Sequence, residues 1–480
     1  SNTSLGIGGT ATINAGTLEA TASINSSRNF ALGSSTSTIL VDSGLTYTIS
    51  GVIADGASAG TLNATGAGTL VLTGTNSYSG GTSISAGTLI ISSDSNLGNP
   101  SGNITMSGFS TLEANGTFST NRSLTSTAGF STIDVPGSNV FTMNGVVNVT
   151  SGFFNKTDSG TLVLTNANNA TSFNSFVNID NGTIQAGVAN ALGNLSTLAL
   201  GNNTTSGVFD INGFNQHMQP FGSISTSGTG TANAITNSSA TAATFELDLS
   251  RGSNTTYTYS GLLTGNLSFQ LDGATGNTQI LTGANTYTGN TIVTSGTLAI
   301  GVADDRLPTG TTLVLGSATG NPSGTFDLAG FNQTVAGLTT AGSGTSNQVV
   351  NSGAGTPNLT VSVASGTDTF SGLLGGTGSQ NSFALVKQSA GTLALTGDNT
   401  YTGGTTINGG TVQIDNINSL GASGTTATIN AATLEAAATF TDSRSINLNN
   451  AAAAIMVDAS QTYTLSGVLS GTGGLNVPGP

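Results

Sequence analysis

The chain has 480 residues, of which 36% are hydrophobic and only 6% charged, with 70 glycines, no cysteine and a formal net charge of −14. That charge sets the chain against nucleic acid and anionic lipid, which would be met by repulsion, and the missing cysteines exclude a disulfide framework. Low charge combined with clear apolar alternation excludes a disordered polyelectrolyte, and no apolar run is long enough for a membrane-spanning helix.

Taken in order, the segments read as short strands punctuated by turns. TINAGTLEA at 12–20 is followed by a Thr-Tyr-Thr-Ile stretch that ends in a turn at Gly51. Next comes GAGTLVLTGTNSYSGGTSISAGTLIISSDSNLG at 66–98. Its Leu70 and Leu72 share one face while Thr69, Val71 and Thr73 share the other, the period-two pattern of a strand with one buried side. Threonine and valine are stiff at χ1 and suit a pleated surface. The same sentence returns in degraded form at 158–193, then at 277–308 and 389–421. Between copies stand TMSGFSTLEA at 105–114, FDINGFNQ at 209–216, FDLAGFNQ at 326–333 and TINAATLEA at 428–436. The alanine run at 451–454 is a local helical temptation, but its alignment with strand text elsewhere predicts strand.

A long text reiterated in this way predicts a stack of short units, since a sandwich or closed barrel has no reason to repeat it. The expected fold is all-β: a right-handed parallel β-helix (solenoid) forming an elongated rod. Two landmarks measure the repeat. Leu5, Leu97, Leu192, Leu307 and Leu420 of the closing dipeptide step along the numbering by 92, 95, 115 and 113. Gly51, Gly145, Gly261, Gly372 and Gly467 step by 94, 116, 111 and 95. Two unit lengths therefore exist. If each is a whole number of coils, the longer carries one extra coil, and the chain holds about 21–25 coils rising about 4.8 Å each. The organisation expected is one continuous β-helix over 1–480, with units near 1–98, 99–193, 194–308, 309–421 and a partial 422–480. Both ends fall mid-pattern, which reads as a segment of a longer repetitive protein.

The GTLxLTGxNTYTGGTTINxGTLxI phrase resembles the passenger-associated, or autotransporter-associated, β-strand repeat of bacterial autotransporter passengers. The resemblance implies a right-handed parallel β-helix exported across a Gram-negative outer membrane by a C-terminal barrel. It also implies a place at the bacterial cell surface or outside the cell.

Chemistry-bearing residues mostly fall on repeat positions. Tyr78, Tyr287 and Tyr401 recur in N-[ST]-Y-[ST]-G, as ring packing at a coil corner or, alternatively, as a sugar-binding row. Glu19, Glu113 and Glu435 each precede an arginine (Arg28, Arg122 and Arg444) at the same spacing of nine, which predicts a recurring Glu–Arg ion pair at an edge or corner. Lys156 and Lys387 each stand five places before the threonine of a GTLxLT strand. His217 is alone, without a partner histidine or cysteine for a metal, and Asp304-Asp305 reads as a solvated loop. With four glutamates in the chain, no nucleophile elbow and no paired carboxylates free of repeat positions, no catalytic residue, cofactor site or metal site is expected.

Three functions fit. The first is a non-catalytic surface rod, an adhesin-like passenger segment whose weak contacts with cell-surface glycans or proteins add through avidity. The second is a structural spacer or self-assembling filament, partnered end to end or laterally by itself. The third, a polysaccharide-acting or cryptic binding module around Phe214, Asn215, Phe331 and Asn332 of the long units, has the least text behind it.

Overall fold

Alternation decides the local structure. Leu70 and Leu72 are buried while Thr69 and Val71 are only half-covered, and the same inside-outside pattern runs through strand after strand. The computed structural model describes residues 8–219, 224–227, 230–251, 253–376 and 378–477; the Leu5 landmark lies outside them. Among these residues the strand pairings are parallel, and the strands stack as a β-solenoid of about 20 turns, just under the number expected. Helix is confined to single turns such as Asp94–Leu97 and Asn169–Ser172. Ala451 and Ala452, expected in a strand, form a turn, and only Ala454 enters the strand Ala454–Val457. Two compact units divide the chain, residues 1–243 and 244–480.

In the first unit each turn has three sides. One column of inward residues runs Leu70, Leu89, Leu112, Ile133, Lys156, Ile179 and Leu200. A second runs Phe118, Phe141, Leu162, Ile184, Phe209 and Ile235. Ile104, Leu124 and Val147 belong to the third. The second unit has the same plan, with Gln279, Leu298, Phe326, Val349 and Leu374 in one column and Leu393, Val412, Leu434 and Ile455 in another. Small aliphatic and phenylalanine side chains fill the narrow interior.

These columns correct one expectation. Leu70 and Leu162 hold the same place in the repeated sentence, yet they stand on different sides of the solenoid. From Leu70 four pairings lead to Lys156, and the next copy begins one strand later, at Thr161–Leu164. From Gln279 four pairings lead to Leu374, and the next copy begins two strands later, at Thr392–Leu395, after Ala384–Gln388. A unit is therefore not a whole number of turns. The longer unit gains one side and longer turns, such as the circuit from Leu298 round to Phe326, rather than one complete coil. Repeated residues consequently do not line up along the axis.

The glycine landmark has a steric cause. A Cβ on Gly51, Gly145 or Gly467 would lie 2.1, 2.0 or 2.1 Å from the carbonyl oxygen of Arg28, Arg122 or Arg444 in the preceding turn. Backbone stacks directly on backbone there, and only glycine fits. Gly145→Ala should lower unfolding free energy by about 1–3 kcal/mol through overpacking, while Gly310→Ala, whose Cβ meets nothing within 4 Å, should leave it unchanged. Paired urea titrations of the two variants check this.

Candidate functional site

The sequence-marked side chains serve mainly as internal clamps. Turning from one side of the solenoid to the next leaves corner carbonyls without strand partners, and buried unpaired carbonyls are costly. Arg122, 2% exposed, meets that need with all five of its N–H groups. Its Nε donates to the Asp94 carboxylate at 2.8 Å, and its terminal nitrogens donate to the carbonyls of Asn99, Gly102, Asp94 and Gly98. Arg444 does the same, donating to the Asp442 carboxylate, the Thr425 hydroxyl and the carbonyls of Leu420, Ile417 and Gly421. Arg28 reaches the carbonyls of Gly8 and Gly9. Each arginine thus grips the loop that carries, or follows, the Leu-Gly landmark one turn back.

The expected Glu–Arg pairing is therefore replaced in Arg122 and Arg444. Their carboxylate partners are Asp94 and Asp442, because the guanidinium points inward to the corner while Glu113 and Glu435 point out from the strand. Glu19 is likewise exposed on its strand. Long units use glutamine instead of arginine. Gln216 accepts from the Ala191 amide and donates to the Val188 carbonyl; Gln333 accepts from the Leu307 amide and donates to its carbonyl. The GFNQ text is thus a loop clamp, and Asn332 is held by Asp304 at 2.8 Å. Asp304 and Asp305 are accordingly hydrogen-bonded rather than simply solvated.

Tyr78, Tyr287 and Tyr401 lie inside, each within hydrogen-bond reach of the threonine four places on, Thr82, Thr291 and Thr405, at 2.7, 2.5 and 2.6 Å. Burial raises all three phenols above the ordinary tyrosine value, and no ring faces are left for a sugar. Lys156 and Lys387 are buried too, each donating to three carbonyls. Burial lowers both amines to about 8, against the upward pull of Asp134 and Asp158 on Lys156 and of Asp368 on Lys387. His217 is half-buried, its amide held by Asn190. Among the described residues no group of three His, Cys, Asp or Glu side chains is placed to hold a metal, and no helix is long and apolar enough to cross a membrane.

One outward feature has no counterpart among the sequence-marked positions. Phe109, Phe130, Phe153 and Phe176 stack in a column up one side of the first unit. Ring centroids are 5.1, 4.6 and 5.3 Å apart and interplanar angles are 14°, 3° and 29°. Phe109 is 75% exposed, Phe176 51% and Phe130 36%. Contiguous exposed apolar surface marks a place of contact. Three of the rings follow a glycine in the left-handed region, Gly108, Gly129 and Gly152 at φ 65°, 88° and 89°. A Cβ on Gly129 or Gly152 would meet the carbonyl oxygen of the glycine below at 2.3 Å, so these glycines form the bend that holds each ring out. Two places along each strand is a second outward column, Thr111, Thr132, Asn155 and Asn178. Two further on, Glu113 pairs in register with Asp134, and Asp158 and Asp180 lie close to that edge. Burial, and then the charges of Asp134 and Asp158, raise the Glu113 carboxyl above its ordinary value. The signal is legible in the text as Gly-Phe at 108–109, 129–130 and 152–153 and Ser-Phe at 175–176, each one turn after the last.

A parallel β-solenoid written in reiterated Gly-Thr-Leu strands is the class this architecture defines. The Passenger-associated-transport-repeat family matches the chain at residues 62–91, 154–186, 276–300 and 385–414, within or overlapping the four copies of the repeated sentence. Four segments of the chain therefore match the passenger-associated transport repeat. It is similar to the Adhesin BmaC autotransporter of Brucella suis biovar 1 (strain 1330), 43% identical over 89 residues, which are 18% of this chain and 3% of that protein. The match thus spans only a small fraction of the relative's length. No solved structure matches significantly.

Two outcomes follow from the clamps. Arg122→Met should cost about 3–5 kcal/mol, since it leaves several corner carbonyls unpaired in the interior and takes the ion partner from the half-buried Asp94; Arg122→Lys should recover little of it, having one nitrogen where the guanidinium has three. Equilibrium unfolding measures both. For the lysines, the folded amine releases its proton near pH 8 while the unfolded one keeps it until about 10.4. The unfolded state then binds more protons, so unfolding free energy should rise from pH 8 to pH 10, and Lys156→Met with Lys387→Met should flatten that rise.

Proposed function

We propose that this chain is a non-catalytic part of an autotransporter passenger, working outside the cell as an adhesin-like contact surface. The exposed phenylalanine column carries the reading. Most polar and charged repeat residues are consumed in clamps, whereas these rings cover no core and stand beside outward Thr, Asn and acidic side chains. Stacking also pre-organises them, so a partner orders few side chains on binding. The similarity to an adhesin supports the same reading, as does the placement of repeat positions inside the solenoid rather than in a catalytic groove.

Self-assembly through this face is the weaker alternative. The chain has seven basic residues against twenty-one acidic ones, and Arg122, Arg444, Lys156 and Lys387 are buried, so a second copy would bring acids to acids.

Beads coated with the chain should adhere to cultured animal cells or to other bacteria. Phe130→Ser with Phe153→Ser should abolish adhesion while the circular-dichroism spectrum is kept. Undiminished adhesion by the folded variant would remove the phenylalanine column from the function.

A further inference from the structure

We propose that the side of the first unit bearing Phe109, Phe130, Phe153 and Phe176 binds a basic amphipathic α-helix of about three turns, its apolar stripe on the rings and its lysines or arginines over Glu113 and Asp134. This rests on the contact-surface reading above and names the partner's chemistry.

Charge comes first. The rings and the acids stand on the same outward side of the same strands, four places apart, which is about 13 Å. Glu113 and Asp134 are adjacent in register, with Asp158 close enough to act on Glu113 and Asp180 further along the edge. Among the described residues no salt bridge engages Glu113 or Asp134; the Asp134 carboxylate accepts a bond from the Thr157 hydroxyl at 2.8 Å. Lys156, the nearest amine in sequence, points inward and donates to the carbonyls of Thr157, Asp158 and Asn181. An acidic edge beside an aromatic column complements a partner that is apolar on one stripe and cationic on its flank.

Spacing selects the helix. The rings repeat at 4.6–5.3 Å along the solenoid axis. A helix laid along that axis offers one apolar position per turn of about 5.4 Å, close to one per ring. An extended strand would offer one per about 6.6 Å and fall out of step within the column. Width agrees as well: a helix is about 10–12 Å across with its side chains, so a lysine on its flank spans the step to the acids with its methylene stem over Thr111 and Thr132. Neutral glycans fit less well. They stack on ring faces, and here both faces of Phe130 and Phe153 are turned to neighbouring rings, leaving their edges to solvent.

Fluorescence anisotropy of the full chain with three labelled synthetic peptides tests this: a 14-residue amphipathic Leu/Lys helix, its Leu/Glu counterpart, and an alternating Leu-Lys strand peptide. The Leu/Lys helix should bind at least about tenfold more tightly than either other peptide. Raising sodium chloride from 50 to 300 mM should weaken it by about tenfold. Glu113→Gln with Asp134→Asn, which change charge but hardly shape, should weaken it comparably, and Phe130→Ser should do so without removing the salt dependence. Equal binding of the Leu/Glu helix, a preference for the strand peptide, or no effect of the two amide substitutions would each overturn the proposal. If the chain adheres to cells through its rings but ignores the Leu/Lys helix, this partner is wrong and the contact-surface reading stands. If the rings play no part in adhesion, that reading falls on its own.

Discussion

A β-solenoid has to satisfy its backbone at the corners, and that requirement governs the rest of this chain. Along the sides each strand finds partners in the turns before and after it, so the ladder closes itself. At the bends the carbonyls turn away from the ladder and are sealed inside, where an unpaired acceptor is costly. Arg122, Arg444, Gln216, Gln333, Lys156 and Lys387 all answer the same demand, reaching to loop or turn carbonyls. Asn76, Asn285 and Asn399 add a second set, each accepting from an amide one turn back and donating to a carbonyl further on. Most of the scarce positive charge is used in this way.

How much of this the sequence disclosed depends on whether the cause is local. The inward run Leu70, Leu72 and the turn glycines were legible because alternation and φ are properties of a few adjacent residues. Recurrence announced a solenoid, and four copies of one sentence pointed to the passenger repeat. Distant geometry was not legible. Glu113 and Arg122 keep a fixed separation, yet the arginine bends into the corner and finds Asp94, 28 residues earlier, a partner no spacing rule along the strand would name. The arginine of the short units and the glutamine of the long ones do the same task, but nothing in their chemistry relates them until both are seen on the Leu-Gly loop. The phenylalanine column was within reach, because Gly-Phe recurs at the length of one turn; attention fixed on the longer repeat passes over that shorter period.

The outward rings therefore stand apart from the other aromatic side chains. Phe141, Phe154 and Phe209 are buried and belong to the interior, and Tyr78, Tyr287 and Tyr401 close it at the bends. Phe109 and its three neighbours add ring-to-ring contacts worth about 0.5–1.5 kcal/mol each beyond area, so part of their cost in water is met by stacking. What remains is a rigid apolar strip beside hydroxyls, amides and carboxylates, held by glycines that cannot be replaced without moving the bend.

Because a repeat unit overshoots a whole number of turns by one side or two, copy number and orientation are linked. Recombination between two copies of the sentence, a frequent fate of reiterated genes, would join equivalent strands without disturbing the local ladder. Within the same compact unit, the strands after the junction would nonetheless be rotated about the axis by that same side or two. Variants differing by a single unit would thus aim their later surfaces in new directions while keeping every individual strand unchanged.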